Sequence, residues 1–113
     1  MCNKNQLDEI SRQIANKAIE EFGDKLDSVL LYGSYARGDY DSDSDIDIMI
    51  IADISEDEAN RLEEILVKFT VRLDLEFDVI ISLYVKDKNS FYRWSNVLPF
   101  YKNVIREGVS LIA

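Results

Sequence analysis

Two carboxylates set two residues apart, Asp45 and Asp47, open the apolar run Ile48-Met49-Ile50-Ile51. In a strand, residues i and i+2 share a face, so both acids point one way while Ile46 and Ile48 point the other. Two carboxylates placed like this repel each other unless water or a cation reaches them. Ten residues before Asp45, the dipeptide Gly33-Ser34 ends another apolar run, Val29-Leu30-Leu31-Tyr32, and marks a turn. Glycine lets the backbone come close to a ligand with no Cβ in the way. Ser34 adds a hydroxyl. If Tyr35-Ala36-Arg37 begins a short helix, its free N–H groups face an anion. A phosphate cradle beside a divalent-cation site is what a metal-bound nucleoside triphosphate needs. An Asp-x-Asp alone is more often a solvated strand edge; the upstream Gly-Ser turns the reading towards chemistry.

Other chemistries fall away. The chain has no histidine, which excludes His-based triads and His-rich zinc sites. Hard oxygen ligands for Mg²⁺ or Mn²⁺ remain. An EF-hand frame started at Asp39 puts Ser44 and Ile50 where Gly and Glu are needed. Started at Asp41, it puts Ile46 and Ala52 there. No GxxxxGK[ST] stretch is present, so a P-loop kinase or ATPase is not expected.

Gly33-Ser34, ten residues, then Asp45-Ile46-Asp47 resembles the signature of the polymerase-β-type nucleotidyltransferases. More narrowly, Gly33-Ser34-Tyr35-Ala36-Arg37-Gly38 followed by Ser44-Asp45-Ile46-Asp47 resembles the minimal nucleotidyltransferase (MNT) branch. Those are small prokaryotic proteins, often the antitoxin partners of HEPN-domain toxins. The resemblance implies transfer of a nucleoside monophosphate, AMP from ATP, to a hydroxyl, with pyrophosphate leaving. The implied acceptor is a tyrosine of a HEPN toxin. Asp45 and Asp47 would supply carboxylates to two Mg²⁺ or Mn²⁺ ions. The family places a third acid on an adjacent strand, and Asp78 is the choice here, as metal ligand and as help in deprotonating the acceptor. Asp74 and Glu76 are its rivals. Gly33 and Ser34 would hold the β/γ phosphates. Arg37 would bridge to the triphosphate, or else pair with the acidic loop. Asp39, Asp41 and Asp43 read as a solvated loop, with Asp43 nearest the pair.

The elements that must position these residues follow from pattern. Leu7, Ile10, Ile14, Ala18 and Phe22 recur at helical steps, with Asn5 as N-cap and Gly23 as stop. Strands are expected over Lys25 to Tyr32 and Asp45 to Ile51. Ser55 and Glu58 form a capping-box pattern opening a second helix, with Leu62, Ile65, Leu66, Phe69 and Leu73 as its stripe and its end between Val71 and Glu76. Phe77 to Val85 reads as a third strand opened by Asp78, and Asp87 to Ser90 as a polar loop. Pro99 fits a helix start and Gly108 its stop, with Val109 to Ile112 a short last strand. The aromatic set Phe91, Tyr92 and Trp94 is either core or a partner surface. The sum is an α+β fold, a small mixed sheet with helices over it. The resemblance implies the same polymerase-β-type core.

The chain has 113 residues, so one domain spanning 1–113 is expected. Thirteen basic against 22 acidic residues give −9, which argues against unaided nucleic-acid binding. No apolar run reaches membrane-spanning length, and the N-terminus lacks a signal-peptide core, which implies cytoplasm. The single cysteine, Cys2, has no disulfide or metal-ligand company. Oligomeric state is left open. Two other functions compete with the enzyme. One is a binding module that neutralises a partner by contact. The other is a small-molecule transferase of the antibiotic-modifying kind, which carries a further helical domain.

Overall fold

The computed structural model describes residues 3–41 and 43–112; Cys2 lies outside them. Helix α1 (Lys4–Phe22) leads through a 3₁₀ turn into strand β1 (Leu26–Tyr32). Short helix α2 (Ser34–Arg37) and a loop follow, then β2 (Ile46–Ala52). Helix α3 (Glu56–Phe77) crosses to β3 (Ile81–Asp87). Helices α4 (Lys88–Trp94) and α5 (Pro99–Glu107) precede the two-residue strand β4 (Val109–Ser110). The sheet order is β3-β2-β1-β4. β1 runs antiparallel to β2 and β4, and β2 runs parallel to β3. The expected α+β architecture, a small mixed sheet with helices, is what forms.

Alternation on β2 divides the sheet. Ile46, Ile48 and Ile50 join the large core with Ile10, Ile14, Leu66 and Leu73 from α1 and α3. Met49 and Ile51 join a smaller cluster with Tyr32, Phe91 and Val104, under α4 and α5. Parity puts Asp45 and Asp47 on the side of the smaller cluster.

Several boundaries differ from expectation. The α1 cap is Asn3, not Asn5. Asn3 accepts from the Gln6 N–H at 2.9 Å, and Gln6 Oε1 accepts from the Asn3 N–H at 3.0 Å, a reciprocal pair that Asn5 with Asp8 does not make. Ser55 caps α3 as expected, accepting from the Glu58 N–H at 3.1 Å. Helix α3 then runs on to Phe77, past Glu76. Asp78 is its C-cap in the left-handed conformation, φ 54° and ψ 53°, which Asp tolerates better than most residues. Its N–H and that of Val79 both donate to the Asp74 carbonyl, closing the helix end. β3 therefore starts at Ile81, and Asp78 lies outside it. Phe77 and Val79, read as strand, are half-buried against the large core. Asp87 to Ser90 is a helix start rather than a loop, because the Asp87 carboxylate caps α4 by accepting from the Ser90 N–H at 2.9 Å.

Candidate active site

The turn after β1 is built by Gly33 at φ 74°, in the left-handed region. Ser34 is the first residue of α2. Gly38, at φ 85°, closes α2 with its N–H on the Ser34 carbonyl at 2.9 Å. Tyr32 pairs with Asp47 across the antiparallel register, so the Gly-Ser turn stands against the second acid. A Cβ on Gly33 would overlap Asp47 Oδ2 and come within 3.2 Å of its Cγ. Glycine is therefore required twice here, for its dihedral and for the carboxylate beside it.

Asp45 sits at the mouth of β2, where the Ile46 N–H donates to the Ile80 carbonyl at 2.9 Å. Its Oδ2 accepts from the Ser82 hydroxyl at 3.2 Å. Asp47 is half-buried. Burial first, and the charge of Asp45 second, push its carboxyl above the usual range, with Arg37 pulling the other way. Asp74 Oδ1 accepts from the Ile81 N–H at 3.0 Å. Burial raises this carboxyl too, and the charge of Asp45 adds to the rise against that hydrogen bond. Burial and then the charge of Asp47 push the Tyr32 hydroxyl up. A cation among these groups would relieve the repulsion that the shifts record.

The acid pair stands between two cavities. One, of about 280 Å³, is lined by Tyr35, Asp43, Ser44, Asp45 and Asp78. The other, of about 330 Å³, is lined by Gly33, Ser34, Arg37 and Asp47, with Phe100, Asn103 and Glu107 from α5. Asp78 thus shares a cavity with Asp45 but is exposed. Among the described residues, no three carboxylates converge as a preformed metal cluster. Glu76 is exposed on α3. Arg37 Nε donates to Asp39 at 3.1 Å, and its Nη1 donates to Glu107 at 2.9 Å.

The acidic loop holds itself. Tyr40 stacks on Tyr35 with centroids 4.3 Å apart. The Asp43 N–H donates to Asp41 Oδ1 at 2.8 Å, and the Asp41 N–H to Ser44 Oγ at 3.0 Å. Two hard carboxylates on one sheet face suit Mg²⁺ or Mn²⁺, whose other positions water and phosphate oxygens fill. Sequence reasoning missed Ser82, Glu107 and the α5 wall. Ser82 becomes visible only once β3 is started at Ile81, which puts it level with Asp47.

Residues 11–110 match the family model described as a nucleotidyltransferase domain. A relative from Methanocaldococcus jannaschii, named "Putative protein adenylyltransferase MJ0604", is 36% identical over 100 residues, covering 81% of this chain and 92% of its own. A chain from a crystal structure of a toxin–antitoxin with AMP-PNP superposes with a TM-score of 0.54 at 22% identity, covering 90% of this chain and 73% of that one. A chain from the complex of tri-AMPylated Shewanella oneidensis HEPN toxin with MNT antitoxin gives 0.52 at 19%, covering 94% and 72%. The structural likenesses speak for the fold, and the family match for the chemistry. The match over residues 11–110 spans the Gly33-Ser34 turn, Asp45 and Asp47, and this chain belongs to the nucleotidyltransferase domain family.

Proposed function

We propose that this protein transfers AMP from ATP, with a divalent metal, to a tyrosine hydroxyl of a HEPN-type toxin and so acts as its antitoxin. The observation that carries the reading is the packing of Gly33 on Asp47, which joins a phosphate cradle to a metal-binding carboxylate. The jannaschii relative's name supports a protein acceptor. The tri-AMPylated toxin in the Shewanella complex supports a HEPN partner, and AMP-PNP in the other complex supports an adenine nucleotide.

Asp45 and Asp47 would hold the metal, Mg²⁺ or Mn²⁺, which would supply neutralisation of phosphate charge and activation of the attacking oxygen. The Ser34 hydroxyl donates to the β/γ phosphates, and Gly33 leaves room for them. Arg37 turns from Glu107 and Asp39 to the triphosphate, where its guanidinium matches phosphate oxygens. The acceptor enters from the cavity shared by Asp45 and Asp78. Its oxygen attacks the α-phosphorus, the bond from that phosphorus to the β-phosphate bridging oxygen breaks, and pyrophosphate leaves. A carboxylate oxygen of Asp78 receives the hydroxyl proton. The partner's body completes the shield from water that so open a site needs. Use of ATP would fit a cytoplasmic reaction. No helix among the described residues is long and apolar enough to cross a membrane.

The test combines purified protein, Mg²⁺ and α-phosphate-labelled ATP with host lysate, beside Asp45→Asn/Asp47→Asn. A labelled protein band made only by the wild type is expected. No label with any NTP in Mg²⁺ or Mn²⁺, with the partner present, would defeat the transferase reading. Neutralisation by contact alone has one observation in its favour. Trp94, Val97, Leu98 and Phe100 are all more than two-fifths exposed around the α4–α5 junction, an apolar surface of the kind partners cover. Under that reading, the double Asn variant still neutralises. Label on a small molecule instead of a protein would point to the antibiotic-modifying kind of transferase.

A further inference from the structure

The position on β3 that faces the acid pair is held by a hydroxyl. Asp47 pairs with Ser82 in the parallel register. The residues of β3 that share this face are Ser82, Tyr84 and Lys86, none of them acidic, while Ile81, Leu83 and Val85 are buried on the other. Ser82 Oγ donates to Asp45 Oδ2 at 3.2 Å. Asp78, the acid that could have stood here, is the left-handed C-cap of α3 and exposed. Asp74 is engaged with the Ile81 N–H.

We propose that Ser82 is a positioning residue, which fixes the Asp45 carboxylate for metal binding and leaves the site with two carboxylates, Asp45 and Asp47, in place of three. This rests on the nucleotidyltransferase reading of the site. A hydrogen bond from a hydroxyl holds one oxygen of Asp45 and leaves the other to bind a cation. Partners of this kind orient a ligand without touching the metal. A hydroxyl adds no negative charge, however. Two carboxylates give a divalent ion fewer protein oxygens than it wants, and Mg²⁺ takes the remainder from phosphate and water. The metal therefore loads together with the nucleotide rather than ahead of it. Its affinity is set by the triphosphate as much as by the protein.

Mn²⁺ binding followed by electron paramagnetic resonance, with and without AMP-PNP, tests this without turnover. Wild type should bind Mn²⁺ more than about tenfold more tightly with AMP-PNP than alone. Ser82→Ala should weaken binding in the AMP-PNP complex about tenfold, and Ser82→Thr should restore it. Ser82→Asp should raise nucleotide-free Mn²⁺ affinity about tenfold or more, and its melting temperature should climb on adding Mn²⁺ where wild type's does not. Asp78→Asn should leave Mn²⁺ affinity in place. Tight Mn²⁺ binding to wild type without nucleotide, lost in Asp78→Asn, would make Asp78 the third ligand and overturn the proposal. Binding that Asp45→Asn abolishes but no Ser82 variant alters would overturn it while leaving the reading of the site intact. No Mn²⁺–AMP-PNP binding by folded wild type would overturn both.

Discussion

The two faces of the sheet are finished differently. The face under α1 and α3 is sealed: Ile10, Ile14, Ile46, Ile48, Ile50, Leu66 and Leu73 are wholly buried. The face under α4 and α5 is covered at one end only. Met49, Ile51, Phe91 and Val104 are buried there, but Asp45, Asp47 and Ser82 on the same face keep access to solvent. One strand, β2, serves both, with Ile46, Ile48 and Ile50 on one side and Asp47, Met49 and Ile51 on the other. The sealed face is all packing, and the half-open one carries the residues of the proposed site. Parity decides which face a β2 side chain joins, and on the half-open face position decides whether it is buried, as Met49 and Ile51 are, or reaches solvent, as Asp47 does.

The comparison predicts that substitutions divide by face. On the open face, Asp45→Asn/Asp47→Asn should lower nucleotidyl transfer by on the order of 10³-fold or more, with circular dichroism unchanged. A variant that unfolds instead would show the acids to be structural. On the sealed face, Leu66→Ala should cost about 2–5 kcal/mol in denaturant unfolding, while nucleotide affinity of the folded fraction stays as it was. Gly33→Ala lies between the two. A left-handed residue and a Cβ overlapping Asp47 should cost about 1–3 kcal/mol and displace the carboxylate, so stability and Mn²⁺–nucleotide affinity should fall together. Retention of either one alone would uncouple the turn from the acid.

Asp47 sharpens the contrast through pH. Its carboxyl binds a proton more tightly folded than unfolded, since burial and Asp45 raise it above the ordinary 3.8. Wild-type stability should thus fall as pH rises through the window above 3.8, then level off. Asp47→Asn should lose its share of this slope, leaving that of Asp74, whose carboxyl is also raised. Transfer needs the ionised form, so activity should rise with pH across the same window. Parallel slopes for stability and activity would refute the assignment. The smallest effect should come from Trp94→Ala, worth within about 0.5 kcal/mol of stability but more than about 1 kcal/mol of partner binding.

The sealed face was the readable one. Its stripes at 3.6 and 2 residue periods name the core directly, and the Gly33-Ser34 to Asp47 stretch is local enough to be read as a turn against a strand. What lay beyond reading depended on register. Phe77-Asp78-Val79 has strand-like composition, yet the helix runs on because Asp78 can cap it in the left-handed conformation. That four-residue displacement of the strand start, from Phe77 to Ile81, moves Asp78 off β3 and brings Ser82 level with Asp47. The second helical layer was also half hidden: Asp87 looks like loop until its carboxylate is seen capping α4. The Arg37–Glu107 pair, 70 residues apart, has no local signature.

The two sides of the half-open face also differ in how far along the chain they must reach. The Gly33-Ser34 turn and Asp47 are joined by an antiparallel pair whose connection, residues 33–45, holds α2. The Ser82–Asp45 contact spans 37 residues and waits on a parallel crossover through α3. Loop closure costs entropy before the distant contact rewards it, and such pairings come late in folding. A chain that has zipped β1 to β2 already owns the Gly33-Ser34 turn but not an anchored Asp45. On the proposed role of Asp45, competence to bind the metal–nucleotide therefore reports that β3 has paired with β2, and a molecule that has formed only the β1–β2 pair is silent.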